Sequence, residues 1–275
     1  MIKSTERTTI DEYHDRPELS SSQIAAYLDD PIKFYHQHVA KDWPKDTPTP
    51  AMQFGTNVHT MIERGGFESI CKTVPKSVLN KDGHRKGKAY TDWKAENPSE
   101  DYVNEGQPNP YQLIWESLQA NDFTRQWINE PDDHKEVDIY WTHPGTGLKC
   151  RSRIDYLRHN AIIDWKTATD VGPRDFQQDV CYRNYDIRLA FYQQAVEEQF
   201  GQTLPVIAVA IQNKPGYSVV PYEIPQEWLD EARSHLQRIL ERIRDFQLAD
   251  YANKSIITLS KPRWRFSDRY ELQEA

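Results

Sequence analysis

Two short stretches hold residue types that could do hydrolytic chemistry: Arg151-Ser152-Arg153-Ile154-Asp155 and, after a turn, Ile162-Ile163-Asp164-Trp165-Lys166-Thr167. Both read as strands. Strand residues two apart share a face, so Asp164 and Lys166 point to one side and Trp165 to the other. Asp155 on the preceding strand joins them if the hairpin register allows. That would place two oxygen ligands suited to a hard cation such as Mg²⁺ beside an ammonium. The chemistry this suits is phosphodiester cleavage. The attacked phosphate is already anionic, so hydrolysis needs a Lewis acid, an activated water and a compensated leaving oxygen. Lys166 would position or help deprotonate the water, or offset charge on the phosphorus. Asp-x-Lys on a strand also describes an ordinary surface salt bridge, and spacing alone does not choose between the two.

The elements that must position these residues change character along the chain. Ser20-Ser21-Ser22 caps a short helix, and Asp30-Pro31 restarts the chain into a second one, Ile32 to Val39. Trp43 to Pro50 holds three prolines and is a connector. A helix follows from Ala51 to Glu63, with Phe54, Val58, Met61 and Ile62 at helical spacing. Residues Asn80 to Lys94 carry the densest basic run, a loop leading into a helix. Two amphipathic helices follow, Tyr111–Gln119 and Asp122–Asn129, the second ended by Pro131. From Lys135 the pattern turns extended: Val137 to Trp141, a Pro144–Gly147 turn, Leu148 to Leu157, then Ala161 to Trp165, an antiparallel three-strand meander. Beyond it come a helix opened by Pro173, a helix from Ile187 to Phe200, and a strand pair Val206–Gln212 and Tyr217–Tyr222. A long amphipathic helix, Glu227 to Leu248, and an irregular basic tail after Tyr251 end the chain. The expected organisation is one domain over 1–275, helical to about 130, sheet-containing to about 250, then the tail.

With 275 residues, 37% hydrophobic and 12% aromatic, the chain has material for a packed core. Cys71, Cys150 and Cys181 lie far apart with no CxxC pair, which argues against a disulfide framework, a zinc ribbon or a cysteine-ligated cluster. A reducing cytoplasm fits. The first residues hold no apolar run, and no long uncharged apolar stretch occurs, so neither a signal peptide nor a membrane span is expected. A net charge of −8 looks wrong for a nucleic-acid binder, yet metal-holding carboxylates contribute to it and basic residues can still concentrate on one face.

Several motifs in one order carry a resemblance. Gly55-Thr56-x-x-His59, Arg153-x-Asp155 and Asp164-x-Lys166-Thr167, together with Thr9 to His14, Leu19 to Gln23, Ala190-Phe191-Tyr192, Gln199-Phe200-Gly201 and Leu259-Ser260-x-Pro262-Arg263-Trp264, resemble the RecE-type exonuclease family of the PD-(D/E)xK superfamily. The resemblance spans nearly the whole chain. It implies an α/β fold with a restriction-endonuclease-like core: a central mixed sheet flanked by helices, with an N-terminal helical portion. It further implies a Mg²⁺-dependent exonuclease, with Mn²⁺ as a substitute metal, acting on linear double-stranded DNA ends. Cleavage would run 5′ to 3′ and processively, by a ring-shaped homo-oligomer such as a tetramer, leaving 3′ tails for an annealing protein of the RecT kind. A metal-dependent endonuclease of the same fold and a catalytically silent DNA-binding scaffold are the alternatives.

By the same resemblance His59 is a metal ligand beside Asp155, Asp164 and the backbone carbonyl of Trp165, and Glu136 matches an acidic position that adds a further one. For His59 and Glu136, helix packing and a solvated strand end are the competing readings. Gly55, one turn before His59, leaves room for metal or phosphate. Tyr185 and Tyr192 fall where the family places tyrosines near substrate, core packing being the other reading. Arg188 stands where many such nucleases have glutamine, and a phosphate contact is its expected role. Arg153 either pairs with a carboxylate or grips the scissile strand. Lys81, Arg85, Lys86 and Lys88 have the makings of a DNA-backbone contact, or of a solvated face.

Overall fold

The central sheet holds six strands, and its strand order decides where the site can form. In the computed structural model, which describes residues 8–129 and 135–248, the order is β1 (Leu19–Ser20), β5 (Lys149–Leu157), β6 (Ile162–Ala168), β7 (Val206–Gln212) and β8 (Val219–Ile224), with β4 (Lys135–Thr142) also paired to β5. The sheet is mixed: β4–β5, β5–β6 and β7–β8 are antiparallel, β1–β5 and β6–β7 parallel. The described residues through Arg244 form one compact unit. The expected tail and the Pro131 helix stop lie outside the described residues.

Period-two alternation sorts the strand residues onto two cores. Ile162, Ala168, Ala208 and Ala210 join one apolar cluster, whereas Ile163, Trp165, Val209 and Ile211 join the other. β7 is nearly all apolar because both its faces are covered. On the first face lie α9 (Tyr185–Phe200) and α10 (Gln226–Arg244). α9 has apolar and buried residues nearly all round, from Ile187 through Val196, as a helix pressed between sheet and neighbour must. α10 is amphipathic and buries Leu229, Ala232, Leu236 and Leu240.

The second face is covered by α4 (Pro50–Arg64) and α6 (Pro110–Ala120). Thr49 caps α4 by accepting from the Met52 N–H at 3.2 Å, Pro50 occupies its first turn, and Gly65 ends it in the left-handed conformation at φ 78°. Its buried stripe is Asn57, Val58, Met61 and Ile62. α2 (Ser21–Asp29) opens with a reciprocal cap, Ser20 and Gln23 each bonding the other's backbone.

Three features differ from the sequence expectation. β1 is a two-residue strand, too short to show periodicity, made by the same Ser20 that caps α2. β2 (Cys71–Val74) and β3 (Asp101–Asn104) form a separate two-stranded parallel sheet bridging the basic run and α5 (Lys88–Glu96). The expected helix Ile32–Val39 is a short α3 (Pro31–Phe34) that widens into a π-helical turn over Tyr35–Val39.

Candidate active site

The site grows from a fork in the sheet. β5 and β6 pair only at Tyr156↔Ile163 and Leu157↔Ile162. At the next position, where Asp155 would face Asp164, the ladder stops. The Asp155 carboxylate instead accepts the Trp165 N–H at 2.8 Å. β1 pairs farther along β5, at Cys150 and Arg151. On the other side of β5, Lys135↔Tyr156 and Val137↔Ile154 bracket Glu136, so Glu136 falls opposite Asp155. Glu136 has φ 50°, a left-handed conformation that costs a non-glycine residue free energy and interrupts the ladder there too.

The gap brings three donors together. Candidate ligand atoms of His59, Glu136 and Asp155 all lie within 4.8 Å of one another. His59 comes from α4 on the exposed side of its buried stripe, and its Nδ1 is 3.6 Å from Asp155 Oδ2, too far for a hydrogen bond. One imidazole and two carboxylates, half-buried at a crevice also lined by Glu63, fit a divalent cation.

Asp164 and Lys166 stand beside this trio on the α9 side of the sheet. Asp164 is 1% exposed and forms an ion pair with Lys166, itself 7% exposed. The Lys166 ammonium also donates to the Trp165 carbonyl at 3.3 Å and lies 5.3 Å from the centre of the Tyr185 ring. Burial pushes the Asp164 carboxyl above its ordinary value, Lys166 pulls it down, and Asp155 adds to the rise. Trp165 points the other way, into the α4 core against Trp127.

The trio and the pair line one cleft of about 1180 Å³, together with Arg153, Tyr185, Arg188 and Tyr192. Arg188 sits among Tyr192, Asp164, Tyr185 and Asp155; burial opposes its charge, and these neighbours outweigh burial and raise its proton affinity. Tyr192 is buried, and its hydroxyl accepts from Ser21 Oγ at 3.2 Å. Arg153 forms a two-pronged ion pair with Asp138, Nε to Oδ1 at 2.6 Å and Nη2 to Oδ2 at 2.7 Å, and stacks over Tyr13. Its guanidinium is therefore committed to a carboxylate. Lys81, Arg85, Lys86 and Lys88 do not line the cleft; they are exposed around the small sheet, where Arg85 donates to the Tyr102 carbonyl at 2.6 Å.

The chain belongs to the DUF3799 family, described as a PDDEXK-like domain of unknown function. Its family model matches residues 20–252. No curated protein matches the chain. Among solved structures, a protein from Eubacterium rectale described as a "Putative exonuclease" superposes with a TM-score of 0.57 at 19% identity, covering 94% of this chain and 96% of that one. LHK-Exo in complex with dAMP gives a TM-score of 0.36 at 11% identity over 86% and 94% of the two chains.

Within the PDDEXK-like fold, Gly55 lines the cleft and also meets β6. A Cβ there would meet Thr167 Oγ1 at 3.1 Å, so the glycine lets α4 close onto β6. Sequence reasoning missed several residues of the cleft wall, among them Ser22, Thr60, Glu63, Arg183 and Asn213. For Glu63 a signal existed: it follows His59 by four residues and shares its helix face. No helix among the described residues is long and apolar enough to cross a membrane.

Proposed function

We propose that this chain is a Mg²⁺-dependent exonuclease that hydrolyses the phosphodiester bonds of linear double-stranded DNA. The observation that carries the reading is the convergence of His59, Glu136 and Asp155 beside the buried Asp164–Lys166 pair, all on the wall of one open cleft. His59, Glu136 and Asp155 would hold the cation, with Asp164 and the Trp165 carbonyl as the adjoining oxygens. A divalent ion there supplies Lewis-acid neutralisation of a phosphodiester and makes water acidic enough to attack at neutral pH.

The chain's own residues do the rest. Lys166 places one ammonium proton toward Asp164 and another toward the Trp165 carbonyl. It thus holds a fixed positive charge where charge develops on the phosphorus oxygens. Arg188, on the cleft wall, would present its guanidinium to the DNA backbone. The Trp165 N–H orients the Asp155 carboxylate within the fork.

The resemblance to the RecE-type family extends this reading to 5′-to-3′ processive resection by a ring-shaped homo-oligomer in the cytoplasm, leaving 3′ tails for a RecT-like annealing protein. Digestion of linear and covalently closed duplex DNA, each with Mg²⁺ or with chelator, tests it. Linear duplex should be degraded only with Mg²⁺, the closed circle should survive, and Lys166→Ala should lose the activity. Cleavage of the circle would make the protein an endonuclease; no Mg²⁺-dependent cleavage of either would leave the silent scaffold.

A further inference from the structure

The residues between α3 and α4 build a surface that the proposed chemistry does not use. Its core is a stack: the His36 ring lies 4.3 Å from the Trp43 ring at 9°, and His36 Nδ1 is 2.8 Å from Asp42 Oδ1. His36 covers one face of the indole, yet Trp43 remains 47% exposed. The open face of the indole is thus presented to solvent in a fixed orientation.

The same segment is pinned elsewhere. Gln37 Nε2 donates to the Pro44 carbonyl at 2.8 Å, and Lys33 pairs with Asp46 at 2.5 Å. Asp42 and Asp46 are therefore engaged by His36 and Lys33, and Asp30 caps α3 through the Ile32 and Lys33 N–H groups. Lys41 and Lys45 are exposed and have no ion-pair partner among the described residues. The segment then runs into Thr49, Ala51 and Met52, which line the cleft, as does His14 from α1 (Ile10–Asp15). Lys45 lies near enough to His14 and His38 to lower both imidazoles, burial being the larger cause.

We propose that Trp43, with Lys41 and Lys45 beside it, is a binding platform for single-stranded DNA at the edge of the cleft, the indole stacking on a base and the lysines meeting its phosphates. The proposal rests on the nuclease reading for its ligand class. An aromatic held rigid and bracketed by unpaired lysines is the arrangement that binds single strands without sequence preference. Its place matters, because an end-degrading enzyme must hold one strand apart from its complement beside the cleft.

The test is binding of a fluorescein-labelled single-stranded oligonucleotide to the full chain in chelator, where nothing is hydrolysed. Trp43→Ala should weaken binding about tenfold, and Trp43→Phe should retain most of it. In Lys41→Gln/Lys45→Gln, the slope of log affinity against log salt should shrink by about 1.4, at about 0.7 per phosphate contact on a single strand. Unchanged affinity in Trp43→Ala, or an unchanged salt slope in the double variant, would overturn the platform. Hydrolysis of linear duplex is scored separately. A protein that digests DNA but binds it equally well without Trp43 keeps the nuclease reading and loses this one; a protein that binds through Trp43 but never hydrolyses does the reverse.

Discussion

Gly55 of α4 and Thr167 of β6 touch so closely that a methyl group on the glycine would lie 3.1 Å from the threonine hydroxyl oxygen. That contact limits how closely the helix carrying His59 can approach the strand carrying Asp164 and Lys166. Gly55→Ala should gain about 1 kcal/mol of helix propensity, while the added methyl asks Thr167 or α4 to give by a few tenths of an ångström, which offsets part of that gain and displaces one side of the site. DNA hydrolysis should fall at least tenfold with an unchanged or higher Tm. Removing the opposing hydroxyl as well, in Gly55→Ala/Thr167→Ala, should restore most of the activity. A double variant as impaired as the single one would show that the two residues do not set the spacing.

Metal binding can be read without any substrate. A cation bound at about 100 times its Kd stabilises the folded state by about 2.7 kcal/mol. Mg²⁺ should therefore raise the Tm of the native protein. In Asp155→Asn the amide oxygen can still accept the Trp165 N–H that now reaches Asp155 at 2.8 Å, so the fold is kept while a ligand charge is lost. The Mg²⁺-induced rise should disappear in that variant. An equal rise would place the cation elsewhere.

Asp138 has a fully buried side chain and holds Arg153, whose side chain is 10% exposed. Taking away the acid leaves a guanidinium without its counter-charge. Asp138→Ala should cost about 3–5 kcal/mol, seen as a lower midpoint in urea with an unchanged slope. A loss below 1 kcal/mol would mean that Thr8, which also contacts Arg153, suffices to satisfy it.

Three histidines tie stability to acid. His14, His38 and His143 all sit below the ordinary value of 6.5, with burial the largest cause in each. Between the folded and unfolded values the unfolded chain binds more protons, so their contribution is present above pH 6.5 and is lost as pH falls below it. Scanning calorimetry from pH 7.5 to 5 should show a falling Tm. His143→Asn, which can keep a bond to the Thr146 hydroxyl, should flatten that fall. A Tm that rises on acidification would contradict the sign.

What was legible in the sequence follows the length of each signal. The opposed faces of Asp164 and Trp165 could be read because a seven-residue strand alternates strictly, and each residue lies in the environment that alternation assigns. α4 was legible from its apolar spacing, although the sequence places its first residue, Pro50, in the connector. Register was not. The turn between β4 and β5 permits several pairings, and only the observed one sets Arg153 against Asp138 and Glu136 opposite Asp155. Arg153 therefore could not be assigned between carboxylate and DNA beforehand. The left-handed Glu136 had no signal, since no glycine or asparagine marks the position. The Lys81–Lys88 run was the most visible charge in the chain, yet the cleft lies elsewhere, because charge density along a sequence says nothing about which element faces which.

The fork between β5 and β6 also constrains the order of assembly. Leu19 and Ser20 find their strand partners only at Cys150 and Arg151, and Asp164 acquires its other neighbour only when Ala208 is in place. On a ribosome, the helix bearing His59 is made long before any strand it serves. Contacts of such sequence separation close late and slowly. Until they do, the α4–α6 layer in the first half of the chain has no strand against its sheet-facing side, so newly made protein should depend on chaperones far more than the finished fold would suggest.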